Sequence, residues 1–170
     1  IQLYHPGSHT EAMDDIDACA LNWENGKIVK SPLKKNLIFK EKVDGDITIT
    51  KFTIPNVKVG TVIDYTYTIR SSRLLDIPTH IFQYDIPVAN AIAQYKVPDY
   101  LIFNVDLTNN IGIAVTKETS SESYQLGYQM GNTRTTMHES VITATAKDIP
   151  RVEKEPYVWN YRNYINKISL

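Results

Sequence analysis

Residues 61–69 have the sequence TVIDYTYTI, in which apolar or aromatic side chains alternate with mostly polar ones. A period of two residues is that of a β-strand, because successive side chains point to opposite faces of the sheet. One face of this strand would carry Ile63, Tyr65, Tyr67 and Ile69. We therefore predict a strand over this stretch and use its pattern to interpret the rest of the chain.

The composition of the whole chain also favours strands. Its 170 residues include twenty isoleucines, twelve valines, sixteen threonines and eleven tyrosines, against nine alanines and ten leucines. Branched and aromatic side chains of this kind fit a pleated sheet. Similar short runs recur at 16–23, 36–43, 46–54, 80–86, 92–97, 100–107, 111–117, 122–130 and 138–146. We predict an all-β fold, an antiparallel β-sandwich of about ten strands with little helix, as a single domain over residues 1–170.

The hairpin around Asp44-Gly45-Asp46 allows a prediction of register. A three-residue loop would pair Val43 with Ile47, and it would place the apolar side chains of both strands on one buried face. Those side chains are Leu37, Phe39, Ile47 and Ile49.

Two segments have other or ambiguous patterns. Ser8 to Asp15 is an early helix candidate, since Ser8 is a residue type that caps a first turn. Residues 157–168 show two patterns at once. Tyr157, Trp159 and Tyr161 alternate like a strand, whereas Tyr157, Tyr161, Tyr164 and Ile168 repeat like one face of a helix. The chain begins at Ile1 and ends at Leu170 without a cap or polar tail, so we expect a processed segment of a longer protein.

The charge balance excludes some classes of partner. Eighteen basic and nineteen acidic side chains leave a formal net charge of −1, so no global field attracts nucleic acid or an anionic membrane surface. Apolar runs are all shorter than the roughly 18 residues that a membrane span requires. We expect no nucleic-acid partner and no membrane span.

The lone cysteine and the scattered histidines favour structural roles. Cys19 shares a predicted strand face with Leu21 and Trp23, which predicts a buried and inert thiol. A hydrolase that uses Cys19 with His80 or His138 is the weakest of our functional hypotheses.

Metal chemistry is equally disfavoured by the pattern. His5 and His9 are separated by Pro6 and Gly7, which favour a turn over a shared helical face. Three acidic clusters match no EF-hand loop and are typical of solvated turns. They are Asp14, Asp15 and Asp17, then Asp44 and Asp46, then Glu153 and Glu155. We expect no catalytic residue, no metal and no cofactor.

Two further groups of side chains suggest surfaces. Six lysines between Lys27 and Lys42 are typical of strand edges protected against aggregation. The aromatic group Tyr157, Trp159 and Tyr161 is a candidate interface or ligand platform, because such rings both anchor protein contacts and stack on sugars.

Five blocks of the sequence resemble an uncharacterised N-terminal β-domain that precedes transglutaminase-like domains in exported proteins of Bacteroides-type bacteria. The most specific block is KFTIPNVKVGTVIDYTYTIRS at 51–71, although Asp64 stands where the family pattern has glutamate. The other blocks are NWENGKIVKSPLKK at 22–35, FQYDIPV at 82–88, YKVPDYLIFN at 95–104 and DIPRVEKEPYVWNYRNY at 148–164. Residues 105–147 match in pattern alone.

The resemblance implies a non-enzymatic role for this segment. In such proteins a later domain carries the Cys-His-Asp triad, and none of its catalytic residues maps onto these positions. The resemblance implies an accessory domain that packs against or positions the downstream domain, in the periplasm or at the cell surface. The alternative is a module that binds a glycan or peptide and delivers it as substrate, as the tyrosine excess and Trp159 suggest.

Overall fold

The computed structural model describes residues 1–5, 7, 10–73, 75, 77–109, 112–125, 134–153 and 157–170, without the side chains of 124, 125, 134 and 135. Within these residues every sheet is antiparallel, and the helices are two short 3-10 segments. The predicted all-β class with little helix is therefore confirmed. The chain divides into two compact units, unit 1 (Ile1–Asp76) and unit 2 (Ile77–Leu170). The assignment of residues 1–170 to one sandwich domain stays a prediction.

Unit 1 contains six strands and the 3-10 helix η1 among its described residues. They are β1 (Gln2–Tyr4), β2 (Glu11–Glu24), β3 (Lys27–Pro32), η1 (Lys35–Leu37), β4 (Ile38–Asp44), β5 (Ile47–Phe52) and β6 (Val62–Ser71). They form two three-stranded sheets, in the orders β1-β5-β4 and β3-β2-β6. The ring of Phe52 lies 6.2 Å from that of Tyr65, so side chains of the two sheets contact each other.

The stretch with the clearest alternation is strand β6, as predicted. It pairs with β2 from Glu11 opposite Ser71 to Leu21 opposite Val62, and a bulge interrupts the pairing between Asp14 and Asp17. β6 lies at the edge of its sheet, and every one of its ten residues is exposed.

The β4–β5 hairpin follows the predicted register over most of its length. The observed pairs from Ile38 opposite Phe52 to Lys42 opposite Thr48 are those that the predicted register requires. The final predicted pair is wrong, because a bulge at Val43 sets Asp44 opposite Ile47. The predicted buried face is covered only in part, because Leu37, Ile47 and Ile49 are half-buried whereas Phe39 is exposed.

The most deeply buried residue of this hairpin lies on the opposite face, which carries the threonines. Phe39 is 55% exposed, whereas Thr50 on the opposite face is completely buried. Alternation identified which side chains share a face, and contacts with the second sheet, such as that of Phe52 with Tyr65, decide which residues are covered.

The faces of β2 are likewise the reverse of the prediction. Ala18, Ala20 and Asn22 are buried, whereas Cys19 is half-buried and Trp23 is 71% exposed. The predicted burial of Cys19 is therefore wrong. The small side chains on the covered face allow the other sheet to approach closely. A pattern based on large apolar side chains does not identify such a face.

The early helix candidate is also wrong in its described part. Residues 11–15 belong to strand β2, whereas Ser8 and His9 lie outside the described residues. The pairing of residues 11–14 with β6 satisfies their main-chain hydrogen-bonding groups in place of a helical turn.

Unit 2 contains the remaining six strands and the second 3-10 helix, η2. They are β7 (His80–Ile81), β8 (Val88–Pro98), β9 (Asp106–Thr108), β10 (Ile113–Gln125), β11 (Arg134–Ile149), η2 (Tyr161–Asn163) and β12 (Lys167–Ser169). The sheets have the orders β10-β11-β8 and β7-β12-β9. Side chains from both sheets, together with Phe82 directly after β7, form a buried apolar cluster: Phe82, Ala93, Ala144, Ala146, Ile149 and Ile168.

Several predicted strand bounds in unit 2 differ from the observed ones. The predicted strand at 80–86 is reduced to His80–Ile81, and that at 100–107 is strand only from Asp106. Residues 126–130 of another predicted strand lie outside the described residues. The ambiguous C-terminal stretch is neither one helix nor one strand, because η2 and β12 are separate short elements within it.

Candidate functional site

A cleft of about 450 Å³ lies in unit 2, beside the short sheet β7-β12-β9. Its walls come from segments that follow β7, β9 and β11 and from the segment that leads into β12. The lining side chains are Gln83, Asn109, Val152, Glu153, Val158, Tyr161, Tyr164 and Ile165. The combination of two aromatic rings with amide and carboxylate groups is typical of sites for small polar ligands.

Hydrogen bonds connect the segments that surround this cleft. Gln83 donates through Nε2 to the carbonyl of Pro150 at 3.2 Å, and its Oε1 accepts from the main-chain amide of Asn166 at 3.4 Å. Asn109 donates through its side-chain amide to the carbonyl of Tyr164. Gln83 and Asn109 therefore fix the walls, and they have fewer free donors and acceptors for a ligand than their residue types suggest.

The local turn geometry positions the two tyrosines. Asn160 caps η2, because its side chain accepts a hydrogen bond from the amide of Arg162 at 3.1 Å. This single turn carries Tyr161, which is half-buried, and Tyr164 follows it with 67% of its surface exposed. Both rings line the cleft.

The three predicted platform residues occupy different environments. Tyr161 lines the cleft, whereas Tyr157 is 103% exposed and Trp159 is 102% exposed. The residue between those two, Val158, also lines the cleft. The structure thus brings Tyr161 to a concave surface and leaves the other two rings fully in solvent on the segment beside it. The role of all three as a platform or interface stays a prediction.

Sequence reasoning did not select the polar lining residues Gln83, Asn109 and Glu153 as one group. They lie far apart in the chain. The segments that carry Gln83 and Asn109 come together because β12 pairs with both β7 and β9. Asn109 did carry a local signal, because it lies between the strands predicted at 100–107 and 111–117 and its φ of 50° is typical of asparagine in turns.

The residues of the cysteine hydrolase hypothesis belong to different units. Cys19 is half-buried in β2 of unit 1, whereas His80 and His138 are in unit 2. His138 bonds through Nδ1 to Ser121 Oγ at 2.8 Å, across the pair β10 and β11. This contact is a cross-strand hydrogen bond on an exposed sheet surface.

His80 has an apolar environment. Its ring meets Phe82 edge-on with centroids 4.7 Å apart, and burial lowers the pKa of His80 from its ordinary value of 6.5. Burial also raises the pKa of Tyr95, whose hydroxyl donates to the carbonyl of Ile168 at 3.5 Å. Both side chains lie beside the buried cluster of unit 2 and are held by packing.

Unit 1 has a smaller polar cleft, of about 410 Å³, whose groups bond to one another. Lys58 forms an ion pair with Glu24 at 2.6 Å, and the side-chain amide of Asn56 donates to Ser31 Oγ at 2.9 Å. These bonds attach the loop between β5 and β6 to the sheet, so this cleft has a structural explanation.

The predicted clusters of acidic residues and histidines do not converge in the described part of the chain. Among residues that the structure describes, no three His, Cys, Asp or Glu side chains are grouped to hold a metal ion. Asp14 instead forms an ion pair with Arg70 at 2.8 Å, and His9 and Glu155 lie outside the described residues. None of the described helices has the length and apolar character needed to cross a membrane.

Comparison of the chain with protein-family models, with curated proteins and with solved structures found no match in any of the three. The described residues thus form an all-β fold, and unit 2 carries a cleft lined by aromatic and polar side chains.

Proposed function

We propose that this chain is a non-catalytic accessory module that contacts a downstream transglutaminase-like domain of the same polypeptide. The observation that supports the proposal is the complete exposure of Tyr157 and Trp159, at 103% and 102%. Each such ring buries on the order of 150–250 Å² when it enters an interface, which makes aromatic side chains effective anchors. The resemblance of residues 148–164 to the family block supplies the identity of the partner. Export to the periplasm or cell surface belongs to the same proposal.

The test uses Trp159 as its own reporter in a chain that carries both domains. Trp23→Phe removes the other tryptophan of residues 1–170. The emission of Trp159, taken as the difference between chains with and without Trp159→Phe, is compared between this module alone and the two-domain chain. Docking should shift the emission to shorter wavelength and give one common tumbling time by NMR relaxation. Unchanged emission together with independent tumbling would refute the proposal.

A matched pair of variants separates docking from folding. Trp159→Ala should release the two domains from each other without a loss of secondary structure, because its side chain makes no buried contact within the described residues. Tyr100→Ala removes a ring that is 72% exposed elsewhere in unit 2 and should leave the domains joined.

The second candidate function is the binding of a glycan or peptide, and the cleft favours it. Tyr161 and Tyr164 line this cleft with aromatic rings, and Glu153 contributes a carboxylate to its lining. Sugar rings stack on aromatic faces while their hydroxyls bond to such polar groups. This function requires no enzymatic step in the module.

Calorimetry against cell-wall glycans, host glycans and unstructured peptides tests this candidate. We expect heat of binding from at least one class and a loss of at least tenfold in affinity for Tyr164→Ala. Tyr100→Ala serves as the control, since Tyr100 is not among the residues that line the cleft. Absence of heat from all three classes would eliminate the candidate.

A further inference from the structure

The free edge of β6 is the surface with the clearest unmet bonding capacity in unit 1. Within the described residues β6 pairs with β2 alone, so its second edge has no neighbouring strand. All ten residues of β6 are exposed. A long exposed edge offers a row of main-chain donors and acceptors to another strand.

Two other edge strands of unit 1, β3 and β4, carry lysines that deter such pairing, and β6 carries none. β3 carries Lys27 and Lys30, and β4 carries Lys40 and Lys42. Lysine on an edge strand opposes association because its charge must be desolvated. β6 contains no lysine, and its two charged residues are Asp64 and Arg70.

The direction of the main chain in β6 leaves the amides of its odd-numbered residues on the free edge. The amide of Ser72 donates to the carbonyl of Thr10, which is the continuation of the pairing with β2. Because N–H directions alternate along a strand, the even-numbered amides face β2. The amides of 63, 65, 67, 69 and 71 therefore face outward.

We infer that β6 pairs with β6 of a second copy of this chain, antiparallel and with Tyr67 on the two-fold axis. This register sets Asp64 of each copy opposite Arg70 of the other, on the face that carries Thr66 and Thr68. Every other antiparallel register sets these charges opposite neutral residues, opposite the same charge of the second copy, or outside the strand. Directly opposed charges of opposite sign stabilise a strand pair, and a two-fold axis forms the pair twice.

The pairing also extends the aromatic face of β6. Tyr65 and Tyr67 stack on each other with their rings 6.3 Å apart and nearly parallel. The axis at Tyr67 would bring the corresponding rings of the second copy alongside them. Two three-stranded sheets would thereby become one continuous sheet of six, with a double row of tyrosines on one side.

The first test is the mass of the chain in solution, measured by sedimentation. We expect a concentration-dependent species of twice the 19.4 kDa of one chain. Asp64→Arg should give a monomer, because each charged pair of the dimer would then consist of two arginines, one from each copy. Asp46→Arg makes the same change of charge in the β4–β5 turn and should remain dimeric. A wild-type chain that stays monomeric at its highest soluble concentration would overturn the inference.

Mixing two variants separates this pairing from a loss of folding. Asp64→Arg and Arg70→Asp should each be monomeric alone, and an equal mixture should form a heterodimer in which every charged pair has opposite signs. Arg70→Asp also removes the ion pair with Asp14, so its secondary structure is checked by circular dichroism. A mixture that stays monomeric, although both variants are folded, would contradict the proposed register.

Cysteine cross-linking reads the register directly. In a Cys19→Ser background, Tyr67→Cys places two thiols on the axis, where Cα atoms of a hydrogen-bonded pair lie about 5.5 Å apart, within reach of a disulfide. Ile69→Cys would face Tyr65 of the second copy and should not cross-link. Equal cross-linking at both positions would exclude a single register.

Discussion

The side-chain amide of Asn22 donates a hydrogen bond to the main-chain carbonyl of Asn56 at 2.9 Å. This bond joins strand β2 to the loop that leads from β5 to β6. The carbonyl oxygen of the same side chain accepts from Thr61 Oγ1 at 2.6 Å, so both ends of the amide are used. Asn22 is only 3% exposed, and its partners would be difficult to satisfy without it.

Replacement of Asn22 by alanine should destabilise unit 1 by about 1–3 kcal/mol, the cost of leaving buried polar partners unsatisfied. Urea denaturation followed by circular dichroism measures the change. Asn36→Ala is the matched control, because Asn36 is an exposed asparagine of the same unit. An equal loss of unfolding free energy in both variants would show that the buried hydrogen bonds of Asn22 do not contribute more to stability than an exposed asparagine does.

Asn56 has a positive φ of 59°, a conformation that costs little for glycine and about 1–2 kcal/mol for most residues with a β-carbon. Asn56→Gly and Asn56→Ala both lose the hydrogen bond to Ser31. The difference between their free energies of unfolding therefore isolates the cost of the positive φ. We expect the glycine variant to be the more stable by about 1 kcal/mol in urea denaturation. An alanine variant of equal or higher stability would show that the loop changes conformation.

Phe82 is completely buried in the apolar cluster of unit 2. Phe82→Ala should cost about 3–5 kcal/mol, since it removes a large buried ring and leaves a cavity. Trp159→Ala, at a fully exposed position, should change the free energy of unfolding by less than about 0.5 kcal/mol in the isolated chain. Thermal unfolding of the two variants side by side measures the contrast, and similar losses would argue against the described core.

The stability of unit 2 should fall as the pH decreases below 6.5, the ordinary pKa of histidine. Burial lowers the pKa of His80 in the folded chain, so the unfolded chain binds this proton more readily. The contribution of neutral His80 to stability is complete above pH 6.5. It decreases as the pH falls below 6.5, and the decrease ends below the pKa of His80 in the folded chain.

His80→Gln should therefore reduce the loss of unfolding free energy between neutral pH and about pH 5. His138→Gln removes an exposed histidine of the same unit and serves as the control. A wild-type profile that coincides with the His80→Gln profile would contradict this assignment.

The sequence predicts the positions of strands with strong alternation more accurately than it predicts which faces of those strands are buried. The pattern at 61–69 predicted β6 to within two residues at either end. The hairpin register was correct from Ile38 to Lys42, because parity links the pairing to the side-chain pattern. It failed at Val43, where a bulge adds a residue that alternation does not reveal.

Buried faces depended on contacts that a local pattern does not contain. On β2 the shared face of Cys19, Leu21 and Trp23 suggested the covered face, whereas Ala18 and Ala20 are covered instead. Small residues indicate burial only when the opposing sheet is known.

The cleft could be predicted only in part. Tyr161 was selected from the aromatic pattern, but Gln83 and Asn109 have no shared local signal. They reach the same cleft because β7 and β9 lie on either side of β12. Pairing between strands of two or three residues is decided by tertiary packing, which a sequence pattern does not specify.

Strand β11 lies between β10 and β8 and is paired with both over most of its sixteen residues. A single-residue insertion in its middle would shift two ladders at once and turn half of its side chains, including those around Ala144, to the opposite face. Chains that share this architecture should therefore keep the length of this strand constant and vary in length at the connections around it.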